Sequence, residues 1–425
     1  MLRRWSALFG SACVLVGFSA CGGGDDSGGG TGGFGASAAA SGSAGQAAGG
    51  GSAGNGGQGN TGGGIQFDSG SGGANIDGGC TSSTAVGELK PANLLFVIDR
   101  SGSMNCNLPS DGQSSAECEV TPVPKFAGKP TKWELTRDAL KLAIDDLQLT
   151  GNVSAGMVAF PKDTTDCDVE TTPNVLVQTL DATQNTALDG FLDFITPKGS
   201  TPMAGATILS YGYLLAQLKA AKLPGNTFVV LLTDGFETCK PTEINKLLNT
   251  DVPAAFNALG IRTFVIGAPG SENARALLSH IATAGGTAAS TCTLPTAPAD
   301  WSQCNSTVPP AACPTGDCHF DMTTSKNFSQ DLKKALDTIS GNVLSCELDV
   351  PAPPAGKKID FDQVGVRLNA SDVLRDDSAP CASGANGWQF SPDKTKIWLC
   401  GTACDDAKKP NSKLEVVLGC LVDVR

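Results

Sequence analysis

The stretch Leu94-Leu-Phe-Val-Ile-Asp-Arg-Ser-Gly-Ser103 decides the fold. Leu94 to Ile98 is a short, wholly apolar run, the pattern of a strand buried on both faces of a parallel sheet. It gives way without a turn residue to an aspartate and two serines, so polar oxygens cluster at the carboxyl end of that strand. Downstream the pattern repeats as strands alternating with helices. Thr131-Lys-Trp-Glu134 has capping-box spacing and opens a helix through about Leu147. Ser154 to Phe160 reads as a strand, Met203 to Lys222 as a helix and Phe228 to Leu232 as a second apolar strand. Residues 243–259 are helical with an interruption near Pro253, and Thr263 to Ile266 is another strand. Glu272 to Ala284 is a helix stopped by Gly285-Gly286, Thr287 to Ser290 is read as the next strand, and Asn327 to Ile339 resumes as a helix. Such alternation implies a doubly wound, mostly parallel α/β fold.

Two further pieces stand in comparable places. Gly199-Ser-Thr201-Pro-Met lies just before the Met203 helix, and Thr233-Asp234-Gly follows the second apolar strand. Together with Asp99-x-Ser101-x-Ser103 these resemble the metal-ion-dependent adhesion site of the von Willebrand factor type A (vWA) family, which includes the integrin inserted domains. The resemblance covers about residues 91–341, and all five family positions are filled: Asp99, Ser101, Ser103, Thr201 and Asp234. It implies a divalent metal, Mg2+ or Mn2+ with Ca2+ as a third candidate, bound by these side chains. Their chemistry agrees, because Mg2+ takes oxygen ligands in octahedral array at about 2.0–2.1 Å. With only two carboxylates the ion keeps positive character, and the resemblance implies that it accepts an acidic side chain from a partner protein or matrix. The position also suits the rule that ligands sit outside the carboxyl ends of strands in open α/β sheets. Arg100 is read as a solvated arginine at a variable position rather than an attractor at the metal rim.

Composition sets the surroundings. Arg3 and Arg4 precede an apolar or small run from Trp5 to Ala20, too short to span a bilayer, so residues 1–20 read as an export signal. Phe18-Ser-Ala-Cys21 resembles a bacterial lipobox, which would make Cys21 the lipidated N-terminus and place the protein in the cell envelope, at the outer membrane. Residues 22–79, almost all Gly, Ala, Ser, Asn and Gln, are too polar to offset their ordering entropy and read as a tether of roughly 40–45 Å r.m.s. span.

Of the 16 cysteines, Cys13 leaves with the signal and Cys21 carries lipid. The remaining 14 read as a disulfide framework in an oxidising compartment. Cys106 and Cys118 are expected to pair at the rim of the site, and Cys167 with Cys239 beside it. Residues 291–318 read as a stapled insertion, and export disfavours a zinc site at Cys313, Cys318 and His319. From residue 342 the chain turns strand-like: Lys358 to Leu368, Trp388 to Phe390, Lys396 to Leu399 and Leu414 to Leu418 suggest a small disulfide-stapled β-rich extension. The α/β domain is thus expected over 80–341 and the extension over 342–425.

The net charge of −12 becomes −14 without Arg3 and Arg4 (28 basic minus 42 acidic), and no basic patch stands out, so nucleic acid is an unsuitable partner. Catalysis finds little support. The two histidines, His280 and His319, neighbour no nucleophile motif, and His280 sits in an apolar helix as a structural residue. Asp99 with Thr233-Asp234 is faintly similar to phosphatases of the haloacid dehalogenase type, but that family needs a second acid where Ser101 stands. A third reading is an envelope scaffold whose metal only orders loops. Asn152, Asn305, Asn327 and Asn369 match glycosylation acceptors that a bacterial lipoprotein leaves idle.

Overall fold

The computed structural model describes residues 83–108, 117–118, 128–162, 167–306, 308–353, 355, 357–381, 384–409 and 411–421. Residues 1–20 and 22–79, read above as an export signal and a tether, lie outside the described residues, as do Cys21 and Cys80. Strand β1 (Ser83–Gly87) leads into β2 (Ala92–Asp99), whose eight residues are all buried. Helix α1 (Lys132–Thr150) follows, then β3 (Val153–Phe160), β4 (Val175–Thr179), α2 (Ala182–Phe194), α3 (Met203–Lys219) and β5 (Asn226–Thr233). A helical stretch from Pro241 passes through a wide turn at Leu247–Asp251 into α4 (Val252–Leu259), where Pro253 sits in the first turn and needs no amide partner. Then come β6 (Ile261–Gly267), α5 (Arg275–Ala284), the short β7 (Phe320–Asp321) and α6 (Phe328–Val343).

The first sheet has the order β4-β3-β2-β5-β6-β7, parallel throughout except for β4 at one edge. The side-chain period of two explains its layers. Leu94, Phe96 and Ile98 of β2, with Phe228, Val230 and Leu232 of β5, pack under α1, α2 and α6 through Leu140, Ile144, Leu188 and Leu336. Their neighbours Leu95, Val97, Val229 and Leu231 face the other way, under α3, α4 and α5 through Leu214, Val252 and Leu278. Strand order reverses between β2 and β5, so the crevice at their carboxyl ends is the switch point of the sheet.

Helix α1 starts where its capping box predicts. Thr131 Oγ1 accepts from Glu134 N at 3.1 Å, and Glu134 Oε2 accepts from Thr131 N at 2.8 Å. It ends on Gly151 in the left-handed region. One expectation is corrected. Residues 287–290 form no strand: Thr287 N bonds Ala282 O, closing the end of α5, and the sheet position beside β6 goes to β7. Strand β4 and helix α2 carry no strong sequence signal, since β4 has a single buried residue, Val177.

The remaining strands build a second module. They are β8 (Glu347–Asp349), β9 (Lys358–Leu368), β10 (Ser371–Val373), β11 (Gly387–Phe390), β12 (Lys396–Cys400) and β13 (Leu414–Leu421), with a short α7 (Thr402–Ala407). They form two antiparallel sheets, β1-β13-β9-β10 and β11-β12-β8, around a shared core of Val366, Leu368, Val416, Leu418, Trp388 and Ile397. Because β1 pairs with β13, residues 83–87 lie in this module, and the α/β domain is inserted between β1 and β8. The two crossings are tied together: Lys90 N donates to Glu347 O at 3.1 Å, and the Lys90 and Lys396 ammoniums share the Glu347 carboxylate.

Six disulfides staple the described residues: Cys106–Cys118, Cys167–Cys239, Cys292–Cys318, Cys304–Cys313, Cys346–Cys404 and Cys381–Cys400. Cys313 and Cys318 are therefore not thiolates, which removes the zinc alternative.

Candidate metal centre

The site is assembled from four loops at the carboxyl ends of β2, β5 and β6 and the amino ends of α1 and α3. Asp99 closes β2 and is fully buried. Its Oδ1 accepts from Ser101 N at 2.7 Å, which folds the next residues back over the strand end. Its Oδ2 accepts from Thr233 Oγ1 at 2.5 Å, binding the ends of β2 and β5 together. Ser101 and Ser103 are buried with their hydroxyl oxygens 3.0 Å apart, and Ser103 Oγ donates to Asp234 Oδ1 at 2.8 Å. The second motif is held against the first by Gly102 N donating to Gly199 O at 2.9 Å. Gly199 has φ 84°, a turn that favours glycine. Thr201 is buried beside the third motif, since a methyl on Gly235 would lie 3.6 Å from its Oγ1. The structure thus links Asp99, Ser101, Ser103 and Asp234 by hydrogen bonds and sets Thr201 alongside, with no direct bond from the Thr201 hydroxyl to the other four.

Four residues outside the five family positions take part. Thr233 bridges β2 and β5 as described. Glu237 is fully buried and pins the second loop to the third: Oε2 accepts from Ala204 N at 2.6 Å, and Oε1 from Cys239 N and Lys240 N at 2.7 and 2.8 Å. Thr238 adds a reciprocal pair, Oγ1 accepting from Thr201 N and its own N donating to Thr201 O. The fourth is Lys132, the first residue of α1. Its buried ammonium makes a short ion pair with Asp234 Oδ2 and donates to Pro269 O at 3.0 Å. The sequence holds one clue to it: a cation in the first turn of a helix opposes the helix dipole, so its presence asks for another partner.

Arg100 is not solvated as expected. It is 5% exposed, and its Nε donates to Pro161 O at 2.8 Å, which braces the loop after β3. Cys106–Cys118 and Cys167–Cys239 flank the same face, the latter covalently joining the β3 and β5 loops. His280 is half-buried, with Nε2 2.9 Å from Pro295 O and its ring edge-on to Trp301. His319 is buried against Ser279 Oγ at 3.0 Å, and neither histidine reaches the centre.

Electrostatics and geometry agree with a cation at this place. Burial, and then the like charge of Asp234, push the Asp99 carboxyl up to about 7, against the hydrogen bonds from Thr233 and Ser101. Only when Asp99 is ionised do the two carboxylates outnumber the Lys132 ammonium, so a cation can take the place of the proton that burial otherwise keeps on Asp99. Adjacent ligands on an octahedral ion with bonds of about 2.1 Å lie about 3.0 Å apart. Ser101 Oγ and Ser103 Oγ already have that spacing, and Ser103 spends its proton on Asp234, leaving lone pairs for a metal. The donor set therefore fits Mg2+ or Mn2+.

No protein-family model and no curated protein matches the sequence. Among solved structures, the pilus adhesin SpaC from Lactobacillus rhamnosus GG in its open conformation is 11% identical, over 79% of this chain and 39% of that one, with a TM-score of 0.39. A von Willebrand factor type A protein from Catenulispora acidiphila is 13% identical over 80% of this chain and 60% of its own, with a TM-score of 0.36. The vWF domain of the type V pili tip protein Mfa5 from Porphyromonas gingivalis is 11% identical over 60% of this chain and 96% of its own, with a TM-score of 0.35. This chain spans less than two thirds of the first two. Likenesses at this level carry no weight for function, which rests on the residues of the site itself.

Proposed function

We propose that this is a lipid-anchored cell-envelope protein whose α/β domain captures a partner protein or matrix through a divalent ion. Asp99, Ser101, Ser103, Thr201 and Asp234 hold Mg2+ or Mn2+, with Ca2+ as a third candidate. The bound ion supplies a Lewis-acidic open position for an acidic side chain of the partner. The residues of the chain do the rest. Thr233 and Ser101 N orient Asp99, Ser103 Oγ orients Asp234, and Glu237 holds the Thr201 loop in reach. Cys21 and the segment that follows attach the domain to the membrane with reach. The described residues contain no helix long and apolar enough to cross one.

The observation that carries the reading is the pair of serine hydroxyls at octahedral-edge spacing above two buried carboxylates. Among the described residues neither histidine reaches the site, so binding is favoured over turnover. The scaffold reading is the weaker one, because Lys132 offers Asp234 a counter-charge within the chain itself. The test is a calorimetric Mn2+ titration of chelator-treated protein, native and Asp99→Ala. Saturable one-site binding, lost in the variant, is expected. A folded native protein that takes up no Mn2+ at millimolar concentration refutes the proposal.

A further inference from the structure

The Lys132 ammonium is buried against a carboxylate of the candidate site. It reaches from the start of α1 across to Asp234, residues 102 apart in sequence, with both side chains at or below 4% exposure. Its cradle is built for it. Pro269 O accepts a second hydrogen bond, and Gly270 holds φ 114°, where a methyl group would come within 2.9 Å of Lys132 Nζ and 2.8 Å of Asp234 O. The helix tolerates a cation in its first turn, against its own dipole, to place that charge. Asp234 is thereby fully used: Ser103 occupies Oδ1 and Lys132 occupies Oδ2.

We propose that Lys132 is a resident counter-cation that competes with the divalent ion for Asp234. This rests on the metal-site reading above. Without an ion the ammonium neutralises the buried carboxylate and ties Asp234 to the Pro269 loop. When the ion enters, the two cations share one carboxylate across a short, poorly screened distance, and part of the ion's binding free energy is lost to their repulsion. The outcome is a domain that folds before it meets metal and loads only where divalent cations are abundant. Lys132 is a positioning and affinity-setting residue and need not touch the ion.

The test compares the full-length native protein with Lys132→Met, which keeps the length and removes the charge, and with the neutral pair Lys132→Met/Asp234→Asn. Melting in chelator and Mn2+ calorimetry are the two readouts. Lys132→Met is expected to melt well below native in chelator, to regain native stability with Mn2+, and to bind Mn2+ at least tenfold more tightly. If it fails to fold in chelator, refolding in Mn2+ supplies the sample for the second readout. The double variant is expected to recover native melting in chelator while binding no Mn2+. Mn2+ binding by Lys132→Met that is unchanged or weaker than native overturns the proposal and leaves the metal site standing. A double variant as unstable as the single one also overturns it, because Lys132 would then act by packing. Absence of Mn2+ binding in both native and Lys132→Met overturns the metal-site reading and this proposal together.

Discussion

Without metal, the protein should lose stability as pH rises through neutrality, and Asp99 should be the cause. Its carboxyl is pushed from 3.8 to about 7 by burial and by Asp234. Between those values the folded state holds a proton that the unfolded chain has released, so stability falls as pH rises across that window. About three pKa units at 1.36 kcal/mol each amount to about 4 kcal/mol, a large share of the 5–15 kcal/mol typical of a domain. The assay is urea unfolding in chelator at several values between pH 5 and 8, for native and Asp99→Asn. The native midpoint should decline across the series, and Asp99→Asn, which needs no proton, should lack that component. Saturating Mn2+ should remove the decline in the native protein, because the ion takes the place of the proton. Since the two compete, Mn2+ should also bind more tightly as pH rises toward 7. A native protein whose pH dependence matches that of Asp99→Asn would refute the assignment.

His319 should act in the opposite sense at lower pH. Burial holds its imidazole down to about 4, so folding favours the neutral ring, and stability should be lost as pH falls from 6.5 through 4. The full effect is about 3 kcal/mol, and His319→Gln should flatten that limb of the acid unfolding curve. Glu237→Ala strips three backbone N–H groups of their acceptor at the joint between the Thr201 and Asp234 loops. A cost of about 2–4 kcal/mol in urea unfolding and a several-fold weaker Mn2+ affinity are expected; unchanged affinity in a destabilised but folded protein would confine Glu237 to a structural role.

Much of this molecule is written locally. Apolar runs such as Leu94–Ile98 and Phe228–Leu232, five residues long and rich in Val and Phe, carry the pattern of strands buried on both faces, and the structure forms them so. The Thr131–Glu134 capping box closes within four residues, and α1 begins where it says. The oxygens of the candidate site lie next to strand ends and a helix start in sequence, so their grouping follows once the sheet order is right. Weak elements were another matter. Strand β4 buries one side chain at a sheet edge and leaves no period to detect, and the two-residue β7 exists only because β6 offers it an edge.

What the sequence by itself determined is therefore the alternating α/β pattern, the oxygen donors and the strand ends that present them, all of which depend on near neighbours. Tertiary structure alone decided the pairing of β1 with β13, which encloses the α/β domain within a second module, and the burial of Arg100 against the β3 loop. It also decided the meeting of Lys132 with Asp234. The physical reason is the same in each case. Hydrophobic period and helix capping act over a few residues, whereas an ion pair or a strand pairing between distant segments has no local pattern and forms only when the packed layers bring its two halves together.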